Sequence, residues 1–112
     1  MKANFDLASR KCQELNSNAR LYEPSYKIQH DLVASMLSQN DQYWMGIQKS
    51  GDSWVYLSTN EDVPFTSWGI ASPDNWNDNE DCVEMDVDAE WNDANCDIEA
   101  WFICETKLIP RS

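Results

Sequence analysis

Four cysteines constrain the fold of this chain more than any other feature. They are Cys12, Cys82, Cys96 and Cys104, and no two of them have the C-x-x-C spacing of a metal or redox motif. An even number of cysteines in a short, acidic chain predicts two disulfides and therefore an extracellular or secreted protein. The count alone leaves three connectivities open.

Length and charge limit the classes of partner. The chain has 112 residues, which predicts one domain over residues 1–112. Its formal net charge is −12 and its pI is about 4.1, which argues against nucleic acid or anionic lipid as a partner, because phosphate contacts need clustered Lys and Arg. No apolar run approaches the roughly 18 residues that a membrane span needs. Divalent cations and neutral ligands remain as possible partners.

The first forty residues predict two helices. Asn4 can cap a first helix in which Phe5, Ala8, Cys12 and Leu15 share one face, and which ends at residues 16–18. A second helix is expected after Pro24, with Ser25 as its cap. Its predicted apolar stripe consists of Ile28, Leu32, Val33, Met36 and Leu37.

The single histidine, His30, lies on the second predicted helix, and a solvated surface position is expected for it. No nucleophile and base are paired in any motif, so the sequence predicts that the protein is not an enzyme.

Beyond residue 42 the sequence predicts strands. Residues 43–47 and 53–57 predict a hairpin with a turn at Gly51 and Asp52, residues 82–85 and 89–92 predict a second hairpin, and residues 101–105 predict a closing strand.

Residues 58–79 show no periodicity, and a loop of about twenty residues in a compact domain indicates a functional segment. Oxygen donors accumulate at its end and beyond it, namely Asp74, Glu80, Asn92 and Asp93. Carboxylate and amide oxygens without imidazole or free thiolate favour Ca²⁺ over Zn²⁺ or copper. We expect weak binding, with a dissociation constant on the order of 10⁻⁴ to 10⁻³ M, as in extracellular modules.

A second group of acids has a different interpretation. Asp86, Asp88 and Glu90 alternate along the chain, but Trp91 stands where an EF-hand loop requires its turn glycine. We therefore expect these carboxylates to form the solvated face of a strand and turn.

Several landmarks, taken in order, resemble the C-type lectin-like domain. They are Ala8 and Cys12 on a helix, Trp44-Met45-Gly46-Ile47, Ser72-Pro73-Asp74, Glu80-Asp81-Cys82, Trp91-Asn92-Asp93, Cys96 and Phe102-Ile103-Cys104-Glu105. The resemblance covers nearly the whole chain. It implies an α+β fold with two helices, small antiparallel sheets and a long calcium-binding loop region, and it pairs Cys12 with Cys104 and Cys82 with Cys96. Because only eleven residues precede Cys12, the family's first strand is expected to be shortened.

The resemblance also assigns the site. The calcium ligands would be Asp74, Glu80, Asn92 and Asp93. Ser72-Pro73-Asp74 keeps the aspartate of galactose-binding members but has a hydroxyl where they have a long amide, so a water is expected in place of Ser72 beside the ion. Trp76 would stack on the sugar, and the sugar-binding set would be Ser72, Asp74, Trp76, Glu80 and Asn92.

Together these features predict a calcium-dependent lectin for galactose or N-acetylgalactosamine, either secreted or part of an ectodomain. Relatives with the same fold that bind ice, mineral or protein ligands instead of sugar provide the alternative function. The sequence leaves the oligomeric state open.

Overall fold

The structure is a computed structural model, and it describes residues 1–70, 72–73 and 79–106. Two helices and seven strands lie within these residues. In chain order they are α1 (Phe5–Leu15), β1 (Ala19–Leu21), α2 (Lys27–Ser35), β2 (Tyr43–Ser50), β3 (Ser53–Tyr56), β4 (Cys82–Met85), β5 (Trp91–Ala94), β6 (Trp101–Phe102) and β7 (Cys104–Thr106). The predicted α+β class, with two helices and antiparallel sheets, is confirmed.

Strand β2 is the centre of the larger sheet. It pairs antiparallel with β3 along its second half and with β4 on its other side, and β4 pairs antiparallel with β5. The short strand β6 runs parallel to the first two residues of β2. A separate two-stranded sheet joins β1 to β7. The predicted closing strand is therefore split, because its first part joins the larger sheet and its second part joins β1.

The core lies on both faces of the larger sheet. Side chains alternate across a strand, so Trp44 packs on one face with Phe5 and Cys12 of α1, while Met45 and Ile47 pack on the other. Trp44 is fully buried, and its indole Nε1 donates to the backbone oxygen of Ala3 at 3.0 Å. Helix α1 thus covers one face of the larger sheet, and the cluster that includes Ala34 of α2 covers the other.

Helix α1 follows the sequence prediction closely. The Asn4 side chain accepts a hydrogen bond from the amide of Leu7 at 2.9 Å, which satisfies one of the free donors at the start of the helix. Phe5, Ala8 and Cys12 are buried as expected. Leu15 is 75% exposed, so its assignment to the buried face is wrong.

The predicted buried face of α2 is wrong in part. Ile28, Leu32 and Met36 are exposed, whereas Val33 and Leu37 of the same predicted stripe are partly buried and pack against the core. The fully buried residues of the helix are His30 and Ala34. The cap prediction also fails, since the helix begins after Tyr26 with no side-chain capping bond.

His30 is buried, which corrects the expectation of a solvated histidine. Its Nε2 lies 2.8 Å from the indole Nε1 of Trp91 and 3.1 Å from the carbonyl oxygen of Ala89, and its Nδ1 lies 3.0 Å from the hydroxyl of Tyr22. Because the indole can only donate, we place the ring proton on Nδ1. A second ring proton on Nε2 would leave the buried Trp91 donor without an acceptor. The imidazole therefore fits this position in its neutral form.

We expect acid to destabilise the fold through His30. Burial lowers the pKa of His30, the carbonyl of Ala89 opposes this shift, and Lys27 lowers the pKa further. Below pH about 6.5 the unfolded chain takes up a proton that the native histidine does not, so the free energy of unfolding falls with pH, by up to about 1.4 kcal/mol per pH unit. Urea unfolding at pH 7.5 and 5.5 measures this loss. A His30→Gln variant should show a smaller loss between these two values, and equal losses in both proteins would contradict the assignment.

The two disulfides close chain segments of very different length, 92 and 14 positions. Cys12 on α1 is bonded to Cys104 on β7, with 5.4 Å between their Cα atoms, and Cys82 on β4 is bonded to Cys96, which follows β5, with 5.3 Å between theirs. No cysteine is free. The pairings implied by the resemblance are confirmed, and the other two connectivities are excluded.

The long connection from β3 to β4 is anchored at its start by a buried carboxylate. Glu23 accepts hydrogen bonds from the backbone amide of Ser58 at 2.9 Å and from its hydroxyl at 2.8 Å. Arg20 lies 3.3 Å from the same carboxylate and forms an ion pair with it. Residues just after β1 thus fix the point at which the loop leaves the sheet.

The same connection is held a second time by residues 67–69, which we call the loop clamp. The amide of Trp91 donates to the oxygen of Ser67 at 2.7 Å, and the amide of Gly69 donates to the oxygen of Trp91 at 3.0 Å. The Trp68 ring packs edge-on against Trp54 and Trp91, with centroids 5.0 and 5.6 Å away. The loop clamp therefore extends the larger sheet beyond β5.

Candidate calcium and ligand site

Four of the six residues predicted to bind calcium or sugar lie within the described parts of the chain. Asn92 and Asp93 are on β5, Glu80 precedes β4 by two positions, and Ser72 follows the loop clamp. The amide of Ser72 donates to the oxygen of Gly69 at 3.1 Å, and the Ser72–Pro73 peptide bond is cis. Asp74 and Trp76 lie outside the described residues.

Ser72 and Asn92 are in direct contact across the site. The hydroxyl of Ser72 donates to Oδ1 of Asn92 at 2.9 Å. The other end of the same amide, Nδ2, donates to Oε1 of Glu84 at 3.1 Å. A chain of hydrogen bonds thus runs from the proline loop through β5 to β4, and both ends of the Asn92 amide are engaged.

Glu84 was not predicted to belong to the site. Glu84 and Asn92 face each other in the antiparallel register of β4 and β5, so their side chains project from the same face of the sheet. The Glu84 residue is only 7% exposed, and burial raises the pKa of its carboxyl, while the hydrogen bond from Asn92 opposes that shift. The sequence offered only an acid within the predicted strand 82–85, because the register that places Glu84 opposite Asn92 is not a local property of that strand.

The remaining donors include a deeply buried acid. Asp93 is fully buried on β5, next to Asn92, and Glu80 is partly buried. With the amide oxygen of Asn92, these groups offer only hard oxygen ligands, and neither a histidine nor a free thiolate is among them. This set fits Ca²⁺ by the chemistry of its donors.

The acids Asp86, Asp88 and Glu90 do come close together, with carboxylate oxygens within 4.8 Å of one another. Their arrangement has a local explanation, because Oδ1 of Asp86 accepts from the amides of Asp88 at 2.9 Å and Glu90 at 3.1 Å and so closes the turn between β4 and β5. Asp88 and Glu90 are exposed. The interpretation as a solvated turn agrees with these contacts.

A cavity of about 330 Å³ opens beside the Ser72–Asn92 contact. The backbone of the loop clamp and the β4–β5 turn border it, and the side chains on its wall include Gln42, Ile70, Ser72, Asp86, Glu90 and Asn92. Two carboxylates on this wall make it unfavourable for an anionic ligand. A larger cavity, about 580 Å³, lies elsewhere, near Arg20 and Ser58.

Among the helices in the described ranges, none is long and apolar enough to cross a membrane.

Comparison with known proteins identifies relatives of the chain. Residues 1–106 match the family model described as the Lectin C-type domain. Hepatic lectin of Gallus gallus is 28% identical over 110 residues, covering 96% of this chain and 52% of that protein. E-selectin of Equus caballus is 33% identical over 111 residues, covering 91% of this chain and 18% of that protein.

A solved structure shows the same fold. The carbohydrate-recognition domain of the mouse scavenger receptor C-type lectin superimposes with a TM-score of 0.85 at 23% sequence identity, covering 96% of this chain and 86% of that chain. The chain spans only about half, or less, of the length of the two sequence relatives above.

Proposed function

Because the chain belongs to the C-type lectin domain family, we propose that residues 1–112 form a single carbohydrate-recognition domain that binds galactose or N-acetylgalactosamine with calcium. Domains of this family are calcium-dependent in general, and the family consists of non-enzymatic carbohydrate-binding proteins. The prediction that the protein is not an enzyme is thereby confirmed at the level of the family.

The observation that carries the proposal is the contact between Ser72 and Asn92. It brings the loop that contains the cis peptide bond onto the strand that carries the Trp-Asn-Asp sequence, at 2.9 Å between hydroxyl and amide oxygen. Residues twenty positions apart in sequence thus meet at one site. Asp93, the next residue on the same strand, is fully buried.

The calcium ligands that we propose are Asp74, Glu80, Asn92 and Asp93. A bound Ca²⁺ would supply open coordination positions for two neighbouring hydroxyls of a sugar. The contribution of the chain is to gather anionic and amide oxygens on elements that the sheet and the Cys82–Cys96 disulfide hold in place. The hydroxyl of Ser72 is bonded to Asn92, which is compatible with the expected absence of Ser72 from the set of calcium ligands.

Two residues support the preference for galactose. Asp74 matches the aspartate of galactose-binding members at the position after the proline, and Trp76 lies two residues beyond it, where those members carry a stacking aromatic. The carboxylates of Asp86 and Glu90 on the neighbouring cavity favour neutral glycans over sialylated or sulfated ones.

An extracellular location also belongs to the proposal. Domains of this family are typically extracellular or parts of ectodomains, and the two disulfides fit an oxidising compartment.

A glycan array run with Ca²⁺ and again with a chelator tests the proposed function. We expect signals for terminal galactose or N-acetylgalactosamine that the chelator abolishes, and weaker or no signals for mannose and for sialylated glycans. Calcium-dependent mannose signals without galactose signals would overturn the preference. A blank array from folded protein with bound calcium would favour ice, mineral or protein ligands instead.

The substitution Trp76→Ala tests the stacking role directly. Loss of an aromatic platform should weaken galactose binding by roughly 1 to 3 kcal/mol, as at other sites where a ring stacks on a ligand, while calcium binding persists. Calorimetric titration with galactose measures it. Tyr26→Ala is the matched control, because Tyr26 is an exposed aromatic at the start of α2. Equal affinity in the Trp76 variant and the parent would remove Trp76 from the site.

A further inference from the structure

We infer that Glu84 is a positioning residue, which fixes the side-chain amide of Asn92 so that Oδ1 faces Ser72 and Nδ2 faces the sheet. The inference rests on the proposed function only where it concerns calcium. The orientation of the amide is a property of the protein without any ligand.

An amide side chain has two orientations of nearly equal shape, with oxygen and nitrogen exchanged. Only its hydrogen-bond partners select between them. For Asn92 those partners are the hydroxyl of Ser72, at 2.9 Å from Oδ1, and the carboxylate of Glu84, at 3.1 Å from Nδ2. Which of the two partners determines the orientation depends on their chemistry.

The hydroxyl of Ser72 can donate or accept, so it tolerates either orientation. In the observed arrangement the Glu84 carboxyl group accepts a hydrogen bond from Nδ2 of Asn92, and a flipped amide would place Oδ1 of Asn92 against this acceptor. Two acceptors in contact at a largely buried position lose a hydrogen bond and repel each other. Glu84 therefore decides the orientation.

The consequence concerns the proposed metal site. With Glu84 in place, Oδ1 of Asn92 faces Ser72, which precedes the proposed ligand Asp74 by two positions in the sequence. A flipped amide would direct an N–H group, which cannot bind a cation, to that side. Supporting residues of this kind commonly change metal affinity by about 10- to 100-fold when they are altered.

Glu84→Gln is the discriminating variant. Glutamine has nearly the same shape, but its amide can donate as well as accept, so both orientations of Asn92 become acceptable. The control is Glu99→Gln, which removes the same formal charge at an exposed position that does not line the cavity beside Asn92. A second variant, Glu84→Asp, keeps the charge but withdraws the carboxylate from Asn92.

Two measurements complete the test. In nitrogen–proton correlation spectra of calcium-free protein, the side-chain amide signals of Asn92 should shift or double in Glu84→Gln and stay in place in Glu99→Gln. In calorimetric titrations with CaCl₂, Glu84→Gln and Glu84→Asp should bind on the order of 10-fold more weakly than the parent, and Glu99→Gln should change little.

Equal weakening of calcium binding in Glu84→Gln and Glu99→Gln would overturn the inference in favour of a simple charge effect. Unchanged Asn92 signals in Glu84→Gln would overturn it as well. If the parent binds no calcium, the proposed function fails, and the spectra of the calcium-free proteins still decide whether Glu84 sets the orientation.

Discussion

Removal of the Cys12–Cys104 disulfide is expected to lower the free energy of unfolding by about 4 to 5 kcal/mol. The bond joins residues 92 positions apart, so it restricts almost the whole unfolded chain, and the loop-entropy model gives about 4.7 kcal/mol for a loop of about 100 residues. Domains of this size are stabilised by only about 5 to 15 kcal/mol in total. The loss would therefore bring the protein close to unfolding at room temperature.

The double variant Cys12→Ala and Cys104→Ala, compared with the parent by urea unfolding, measures this effect. The matched control is Cys82→Ala with Cys96→Ala, whose bond spans 14 positions and should contribute about 3 kcal/mol. Peptide mapping without reduction should first find Cys12 linked to Cys104. If removal of the Cys82–Cys96 bond lowered the free energy of unfolding more than removal of the Cys12–Cys104 bond, local packing rather than chain entropy would dominate the stabilisation by the disulfides.

The second large effect is expected from calcium itself. At a concentration about 100 times the dissociation constant, Ca²⁺ should stabilise the parent by about 2.7 kcal/mol, which corresponds to a rise of roughly 10 °C in the thermal midpoint of a domain of this size. Asp93→Ala should abolish this rise, because the variant removes a buried proposed ligand on β5. Thermal unfolding with Ca²⁺ and with a chelator measures the difference within each protein.

Comparing the thermal midpoints with Ca²⁺ and with chelator within each protein separates loss of calcium binding from general destabilisation of the fold. Asp93→Ala can lower the midpoint in chelator for reasons unrelated to calcium, but only loss of binding removes the difference between the two conditions. Asp97→Ala is the control, because Asp97 is an exposed acid just beyond β5. No calcium-dependent rise in the parent would refute the proposed site, and a full rise in Asp93→Ala would exclude Asp93 from it.

Local sequence signals predicted much of the scaffold. Asn4 and the spacing from Phe5 to Cys12 located α1, and Gly51, whose φ is +62°, supplied the turn between β2 and β3. These features depend on neighbours within a few residues. Strand β1 was missed because it has three residues and pairs with β7, more than eighty positions away, so no local pattern reveals it.

The errors on α2 have the same origin. The apolar residues Ile28, Leu32 and Met36 suggested one buried face, but the acceptor that the indole of Trp91 needs is His30, on the other face. That requirement comes from a residue 61 positions along the chain. Buried polar partners of this kind depend on the assembled fold, and hydrophobic periodicity does not report them.

The candidate site was predicted from its types of donor, and its supporting residue was not. Ser72 and Asn92 were expected at one site, and they are in contact. Glu84 remained unassigned because its importance depends on the register of β4 against β5, which places it opposite Asn92. Register is a property of two paired strands, and the sequence of one strand does not determine it.

The loop clamp has a consequence for the evolution of ligand specificity in such a protein. Ser67 and Gly69 bind the backbone of Trp91, so the connection is fixed to the sheet through main-chain atoms before it reaches Ser72. Main-chain bonds of this kind tolerate many side chains. We therefore expect a combinatorial library varied over residues 75–79, which leaves the proposed calcium ligands unchanged, to yield mostly folded proteins with diverse ligand preferences, so that new specificities can arise without compensating changes in the scaffold.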